Sequence, residues 1–152
     1  MVVTALLAAG PAAAQTLPAA GDRQCWRADF GDEAPDARIT SIDLTIEAPA
    51  DGGDVEFTLS LGMTEPYPAI AATYGVCEAL ADGTPECRLD CDGGRFKLPT
   101  GDDGTSLQVA PSGLVMAPCR DPARDEHTLF WLKPRTVAFP LEPTPAAACE
   151  PQ

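Results

Sequence analysis

The sequence predicts an all-β protein, a single antiparallel β-barrel or β-sandwich of about 8 to 9 short strands that is stapled by disulfides. Three observations lead to this fold class. Apolar and polar residues alternate with period two, turn signals recur about every ten residues, and six cysteines occur in a chain of 152 residues.

The N-terminus predicts export. An apolar run over residues 2–9 is followed by Gly10-Pro11 and by three alanines before Gln15, which is a small-residue cleavage pattern. We therefore expect a signal peptide at residues 1–14 and a flexible mature N-terminus at 15–23. The basic n-region is missing, so we expect the natural start to lie upstream. The apolar run is too short to span a bilayer, which predicts a periplasmic or secreted protein without membrane insertion.

The first part of the predicted domain reads as strands. In QCWRADF, the residues Trp26, Ala28 and Phe30 share one face. Residues 38–63 alternate on both sides of an Asp-Gly-Gly turn at 51–53, which predicts a β-hairpin. Residues 64–82 contain apolar positions at helical spacing, but Gly75 costs about 1 kcal/mol in a helix interior. We expect an irregular strand there.

The rest of the chain predicts further short strands and a tail. Turn signals at Asp82-Gly83, Gly93-Gly94, Gly101–Gly104, Ser112-Gly113 and Asp121-Pro122 divide it. The expected strands are residues 85–92, 95–100, 105–110, 114–119, 127–133 and 136–140. The predicted all-β domain thus covers 24–140, and the Pro/Ala-rich segment 141–152 is expected to be a tail held by Cys149.

The segment CRLDCDGGRFKL, residues 87–98, predicts a particular register. If Gly93-Gly94 forms the turn, Asp92 and Asp90 face Arg95 and Lys97 on the outer side. Cys91 and Leu89 then face Phe96 and Leu98 on the inner side. This register places Cys87 and Cys91 on the core side of one strand.

The cysteines predict structural disulfides. An even number in an exported chain favours three bridges, although spacing does not fix the pairing. Cys77 and Cys87 flank a loop with its own Asp-Gly turn, so a cross-hairpin bridge is expected, with Cys91–Cys119 and Cys25–Cys149 as the remaining pairs. The chain has one histidine and no second Cys pair at zinc spacing, so we expect no metal site and no cofactor.

No catalytic residue is predicted. His127 is the single candidate base, and no serine lies in a Gly-x-Ser-x-Gly context. The Asp90–Gly93 segment begins like an EF-hand calcium loop, but Arg95 stands at loop position 6 and Gly101 at position 12, where Gly and Glu are required. At the Gly101–Gly104 turn we expect a solvated turn in preference to a weak surface calcium site. The sequence therefore favours a protein that is not an enzyme.

The charge predicts the class of partner. The formal net charge is −13, with Asp+Glu 23 against Lys+Arg 10. Such a surface repels phosphate, so we expect neither nucleic acid nor an anionic membrane as a partner. A basic protein is the partner that electrostatics favours, and a small ligand inside a barrel is a further possibility.

Two family resemblances accompany these patterns. CRLDCDGGRFKL, the preceding YGVC and the later DEHTLFWL resemble a group of small exported proteobacterial proteins with a Cys-Asp-Gly-Gly segment. The likeness covers about residues 55–133. It implies an exported, disulfide-bonded, all-β protein and brings no activity with it.

Ser112-Gly113 and Trp131-Leu132-Lys133 resemble elements of the periplasmic inhibitors of c-type lysozymes, which are small acidic β-barrels. Pro134 stands where that family has Gly, and the Tyr expected soon after Ser-Gly is missing. The resemblance implies Ser112, Gly113, Trp131 and Lys133 as partner-binding residues. The function expected from the sequence is thus an exported accessory or binding protein of the envelope. The alternatives are an inhibitor or binder of a basic envelope protein such as lysozyme, and a carrier of a small ligand within the barrel.

Overall fold

A computed structural model describes residues 16–67, 69–116 and 136–148 of the chain. These residues form an all-β fold, as the sequence predicted, and one short 3-10 helix, which it did not predict. The elements are β1 Arg23–Asp29, β2 Ile39–Glu47, β3 Val55–Met63, β4 Ile70–Ala79, β5 Pro85–Leu89, β6 Gly94–Lys97, β7 Thr100–Gly101, β8 Gly104–Leu114, β9 Val137–Thr144 and η1 Ala146–Ala148.

The strands form a closed antiparallel barrel. Each strand pairs with its neighbours in the order β6-β5-β4-β3-β2-β1-β9-β8, and β6 also pairs with β8, which closes a ring of eight. β7 lies outside this ring and adds only the Thr100–Thr105 and Gly101–Gly104 pairs to β8. Closure leaves none of the eight strands with an unpaired long edge, and it selects the barrel over the sandwich.

Alternation along each strand separates the core from the surface. In β3, Phe57, Leu59 and Leu61 are buried, whereas Glu56 and Thr58 are exposed. A strand within residues 64–82 is confirmed as β4, but it is regular and not irregular as expected, because its pairing with β3 and β5 contains no register shift. The hairpin expected at 38–63 is confirmed as β2 and β3. β9 continues to Thr144, past residue 140, where the sequence placed the end of the domain.

The predicted register of the 87–98 hairpin is wrong. Cys87 pairs with Phe96 and Arg88 with Arg95, so the turn is Asp90–Gly93 with Cys91 and Asp92 at its centre. Both central residues have φ of 58°, as a type I′ turn requires, and the Gly93 amide donates to the Asp90 carbonyl at 3.2 Å. Cys91 is therefore exposed at a turn instead of lying on the core side of a strand.

The two glycines serve close packing, and this explains the register. A Cβ on Gly93 would lie 2.7 Å from the Val115 carbonyl oxygen, and one on Gly94 would lie 2.5 Å from that of Gly113. The backbone of β6 can approach β8 this closely only where side chains are missing. The observed and the predicted registers differ by an even number of residues, so the same side chains face inward in both. Leu89, Phe96 and Leu98 are therefore buried as expected.

The charge pairs change with the register. Glu86 pairs with Arg95 at 3.2 Å and with Lys97 at 3.7 Å, in place of the aspartates that the sequence indicated. Ser112-Gly113 was expected to be a turn, but β8 continues through both residues. Gly113 has φ of 77° and lies where the β6–β8 register shifts, which is typical of a β-bulge.

Candidate functional site: the outer face of β1 to β4

The interior of the barrel is filled with side chains over the described strands. One continuous apolar cluster lines it. Eleven large side chains in that interior are at most 2 % exposed. Phe57 of β3 meets Phe96 of β6 edge to face, with ring centroids 5.0 Å apart. These strands are separated by β4 and β5 in the ring, so the contact crosses the interior. Eight strands enclose a space that side chains alone can fill.

Gly75 makes this contact possible. It faces inward on β4 directly opposite Phe57 of β3. A Cβ at Gly75 would lie 2.9 Å from Cε1 of the Phe57 ring and would also collide with the Arg88 carbonyl oxygen. The missing side chain gives the phenyl ring its place in the core.

Depressions lie on the outside of the barrel. Two adjacent ones, of about 340 and 300 Å³, cover the outer face of β1 to β4 and share Thr45, Glu47 and Thr58. We call them together the outer recess. It is lined by Arg23, Cys25, Arg27, Ser41, Asp43, Thr45, Glu47, Glu56, Thr58, Ser60, Gly62, Ile70, Tyr74, Val76, Asp90, Thr144 and Ala148, with backbone from the inward-facing residues between them.

Short side chains form the floor of the recess. The strand register places Thr45 beside Thr58 and Ser41 beside Gly62. A Cβ on Gly62 would collide with the Ser41 hydroxyl, so this corner of the floor stays low only with glycine. A floor of hydroxyl groups between longer side chains is what produces a depression on the convex surface of a barrel.

Two ion pairs form the wall on the β1 side. Arg23 Nη2 donates to Glu47 Oε2 at 2.6 Å, and Arg27 Nε donates to Asp43 Oδ1 at 2.6 Å. All four side chains are about half exposed, so each pair stabilises the fold by about 0–1 kcal/mol at most. Their main effect is to neutralise these two cations locally.

The wall on the β4 side is apolar. Ile70 is 65 % exposed and Tyr74 is 53 % exposed, and they are the large hydrophobic side chains that stand out as exposed in the described part of the chain. They point outward from the same strand with Ala72 between them. Exposed aromatic side chains such as that of Tyr74 are enriched at the centre of protein interfaces.

Carboxylates without a basic partner flank this wall. Glu56 lines the recess from β3, and Asp90, whose amide donates to the Tyr74 carbonyl at 3.1 Å, lines it from the end of β5. Within the described residues, neither carboxylate has a lysine or arginine nitrogen within ion-pair distance, whereas Glu47 is bound to Arg23. The recess therefore carries negative charge next to its apolar wall.

The structure bears out part of the cysteine prediction. Cys77 and Cys87 are directly opposite on β4 and β5 and form a disulfide with a Cα–Cα distance of 4.0 Å. Cys25 and Cys91 are also disulfide-bonded. Cys119 and Cys149 lie outside the described residues, so the pairs Cys91–Cys119 and Cys25–Cys149 remain predictions.

Of the residues implied by the lysozyme-inhibitor resemblance, the described structure contains Ser112 and Gly113. Ser112 is exposed and Gly113 is buried, both on β8, which lies four strands from β3 in either direction around the ring. Trp131, Lys133 and His127 lie outside the described residues. Sequence reasoning missed Ile70 and Tyr74. The signal was available, because the two residues alternate with the buried Ala71, Thr73 and Gly75 once β4 is read as a strand.

Two titratable groups outside the recess, Arg38 and Asp82, have structural partners that shift their pKa. Hydrogen bonds to the Asp36 carboxylate raise the pKa of Arg38, with distances of 2.9 and 2.6 Å. The Thr84 amide, donating at 2.9 Å, lowers the pKa of the Asp82 carboxyl. Over the described ranges, no three His, Cys, Asp or Glu side chains gather as metal ligands would, and no helix there is long and apolar enough to cross a membrane.

The comparisons with known proteins add no relative. No family model, no curated protein and no solved structure matches the chain.

Proposed function

We propose that the chain is an exported, disulfide-bonded accessory or binding protein of the cell envelope, without catalytic activity, and that it binds through the outer surface of its barrel. The observation that carries this proposal is the contrast between the two sides of β1 to β4. Their inner face packs into a filled core, while their outer face forms the recess with the exposed Tyr74 and Ile70. Specific partners are usually bound where exposed apolar groups and a depression coincide.

Location in the periplasm or outside the cell is supported by the cysteines. Cys77 and Cys87 are bonded to each other, and Cys25 and Cys91 are each bonded as well. Disulfides persist in oxidising compartments and are rare in the cytosol. This agrees with the signal peptide expected at residues 1–14.

A basic envelope protein, such as lysozyme, is the partner that the charges favour. The chain has a formal net charge of −13, and among the residues that the structure describes, the carboxylates of Glu56 and Asp90 beside the apolar wall have no basic partner. Opposite charge speeds diffusional encounter and selects among partners. The structure gives less support to a small-ligand carrier, because the buried apolar cluster, which includes the Phe57–Phe96 contact, occupies the interior where such a ligand would lie.

The proposal is tested by surface plasmon resonance with the mature protein immobilised and a c-type lysozyme in solution. We expect saturable binding that weakens as NaCl is raised from about 0.01 M to about 0.15 M, because the Debye length then falls from about 30 to about 8 Å. Native mass spectrometry of the purified protein gives the comparison with the carrier alternative. Lack of binding to lysozyme would contradict the proposed basic partner, and a co-purified small molecule would favour the carrier alternative.

A further inference from the structure

We infer that the outer recess is the docking surface for this basic protein. Tyr74 and Ile70 form its apolar anchor. Glu56 and Asp90 are the acceptors for lysine or arginine side chains that surround the partner's own apolar group. The inference rests on the proposed function and specifies the surface that performs it. It commits to a partner with a basic rim around an apolar centre.

The apolar part of the argument is the position of the two exposed residues. Tyr74 and Ile70 are on one strand and one face, with the small Ala72 between them. A partner that covers them removes a large apolar area from water at low entropic cost, because tyrosine has few rotatable bonds. Tyrosine is also among the residues that most often dominate the energy of an interface.

The electrostatic part is the arrangement of charge around Tyr74. Glu56 lies on the β3 side of the recess and Asp90 on the β5 side, so a cation placed over the Tyr74 ring meets a carboxylate in either direction. Attraction to the ring face adds to both ionic contacts. Arg88 opposes such a cation, since it pairs with Val76 on the outer side of β4 and β5 and is exposed.

The local charge distinguishes this recess from the general acidity of the surface. Asp102 and Asp103 are exposed, as Glu56 and Asp90 are, but they lie in the β7–β8 turn, and β8 is on the opposite side of the ring from β3. A docking role for the recess therefore predicts different effects for the same loss of charge at the two places. A role of net charge alone predicts equal effects.

The experiment measures the affinity of four variants for a c-type lysozyme at about 0.15 M salt, where surface charges are partly screened. We expect Tyr74→Thr to weaken binding at least about tenfold, and Glu56→Gln with Asp90→Asn to weaken it several-fold with a shallower salt dependence. Asp102→Asn with Asp103→Asn, which removes the same charge, is expected to change the affinity less than about twofold. Arg88→Gln is expected to strengthen binding.

The outcomes separate the inference from the function on which it rests. If wild type binds and the two charge-neutralised pairs weaken binding equally, the recess is not the docking surface, although a basic partner still stands. If wild type does not bind lysozyme, both proposals fail. Tighter binding by Arg88→Gln cannot result from partial unfolding, so this variant keeps the test valid if Tyr74→Thr lowers stability. Unchanged or weaker binding by Arg88→Gln counts against the inference.

Discussion

At the scale of single residues, the barrel depends on glycines at positions where a side chain would collide with a neighbour. Gly75 lets the Phe57 ring cross the core, and Gly62 keeps the floor of the outer recess low. Neither role is visible in a turn pattern. The sequence showed that Gly75 opposes a helix, but it could not show which ring fills the space beside it, because that ring comes from another strand.

We expect Gly75→Ala to lower the free energy of unfolding by about 1–3 kcal/mol, because the added Cβ collides with the Arg88 carbonyl oxygen and lies 2.9 Å from the Phe57 ring. Urea denaturation followed by tryptophan fluorescence measures the change. Gly101→Ala is the matched control, since nothing lies within 4 Å of a Cβ there. Equal stability of the two variants would show that Phe57 does not pack against Gly75.

At the scale of the elements, the faces of the strands could be predicted and the registers only in part. Period-two alternation identifies the inward residues of β2, β3 and β4, since it depends on neighbours in the chain. The β5–β6 register depends on β8 as well, because the missing side chains of Gly93 and Gly94 allow the backbone at the end of β8 to approach closely. A pattern read within residues 87–98 does not contain that information.

The Cys91-Asp92 turn gives a direct test of the corrected register. We expect Asp92→Gly to raise the free energy of unfolding by about 0.5 kcal/mol, because glycine adopts φ of 58° without the cost that other residues bear. Asp92→Val is expected to lower it, since a branched side chain is strained there. If Gly93-Gly94 were the turn, Asp92 would lie in an extended strand, and glycine would destabilise the protein instead.

The disulfide between β4 and β5 belongs to the same scale. We expect Cys77→Ala with Cys87→Ala to lower the free energy of unfolding by about 2–4 kcal/mol, because the bridge restricts the unfolded chain and both residues are buried in the core. Urea denaturation without reductant measures it, with the remaining cysteines left oxidised. A change below about 1 kcal/mol would contradict a structural role for this bridge.

At the scale of the whole molecule, the sequence indicated the class of fold and the sign of the charge. The structure adds that Glu56 and Asp90 have no lysine or arginine partner among the described residues. Closure into a barrel follows from the β6–β8 pairing, which joins strands whose contact includes a bulge at Gly113. Alternation in the sequence is compatible with a sandwich or a barrel, so closure could not be predicted. The outer recess could not be predicted either, since four strands contribute to it.

Salt is expected to have opposite effects on stability and on binding. With a formal net charge of −13, repulsion among carboxylates lowers the stability of the folded state at low ionic strength. We expect the Tm to rise as NaCl is increased from about 10 mM to about 0.15 M, because screening weakens this repulsion. Circular dichroism measures the Tm. A Tm that falls over this range would indicate that the ion pairs outweigh the repulsion.

The central claim is that the protein binds its partner through the outer face of β1 to β4, and hydroxyl-radical footprinting of the complex with a c-type lysozyme tests it most directly. We predict that oxidation of Tyr74 and Ile70 falls sharply on binding, while Leu80 and Tyr67, which lie in loops at the two ends of the barrel, keep their reactivity. Unchanged oxidation of Tyr74 together with protection of Leu80 or Tyr67 would contradict the claim and would move the binding surface to the loops.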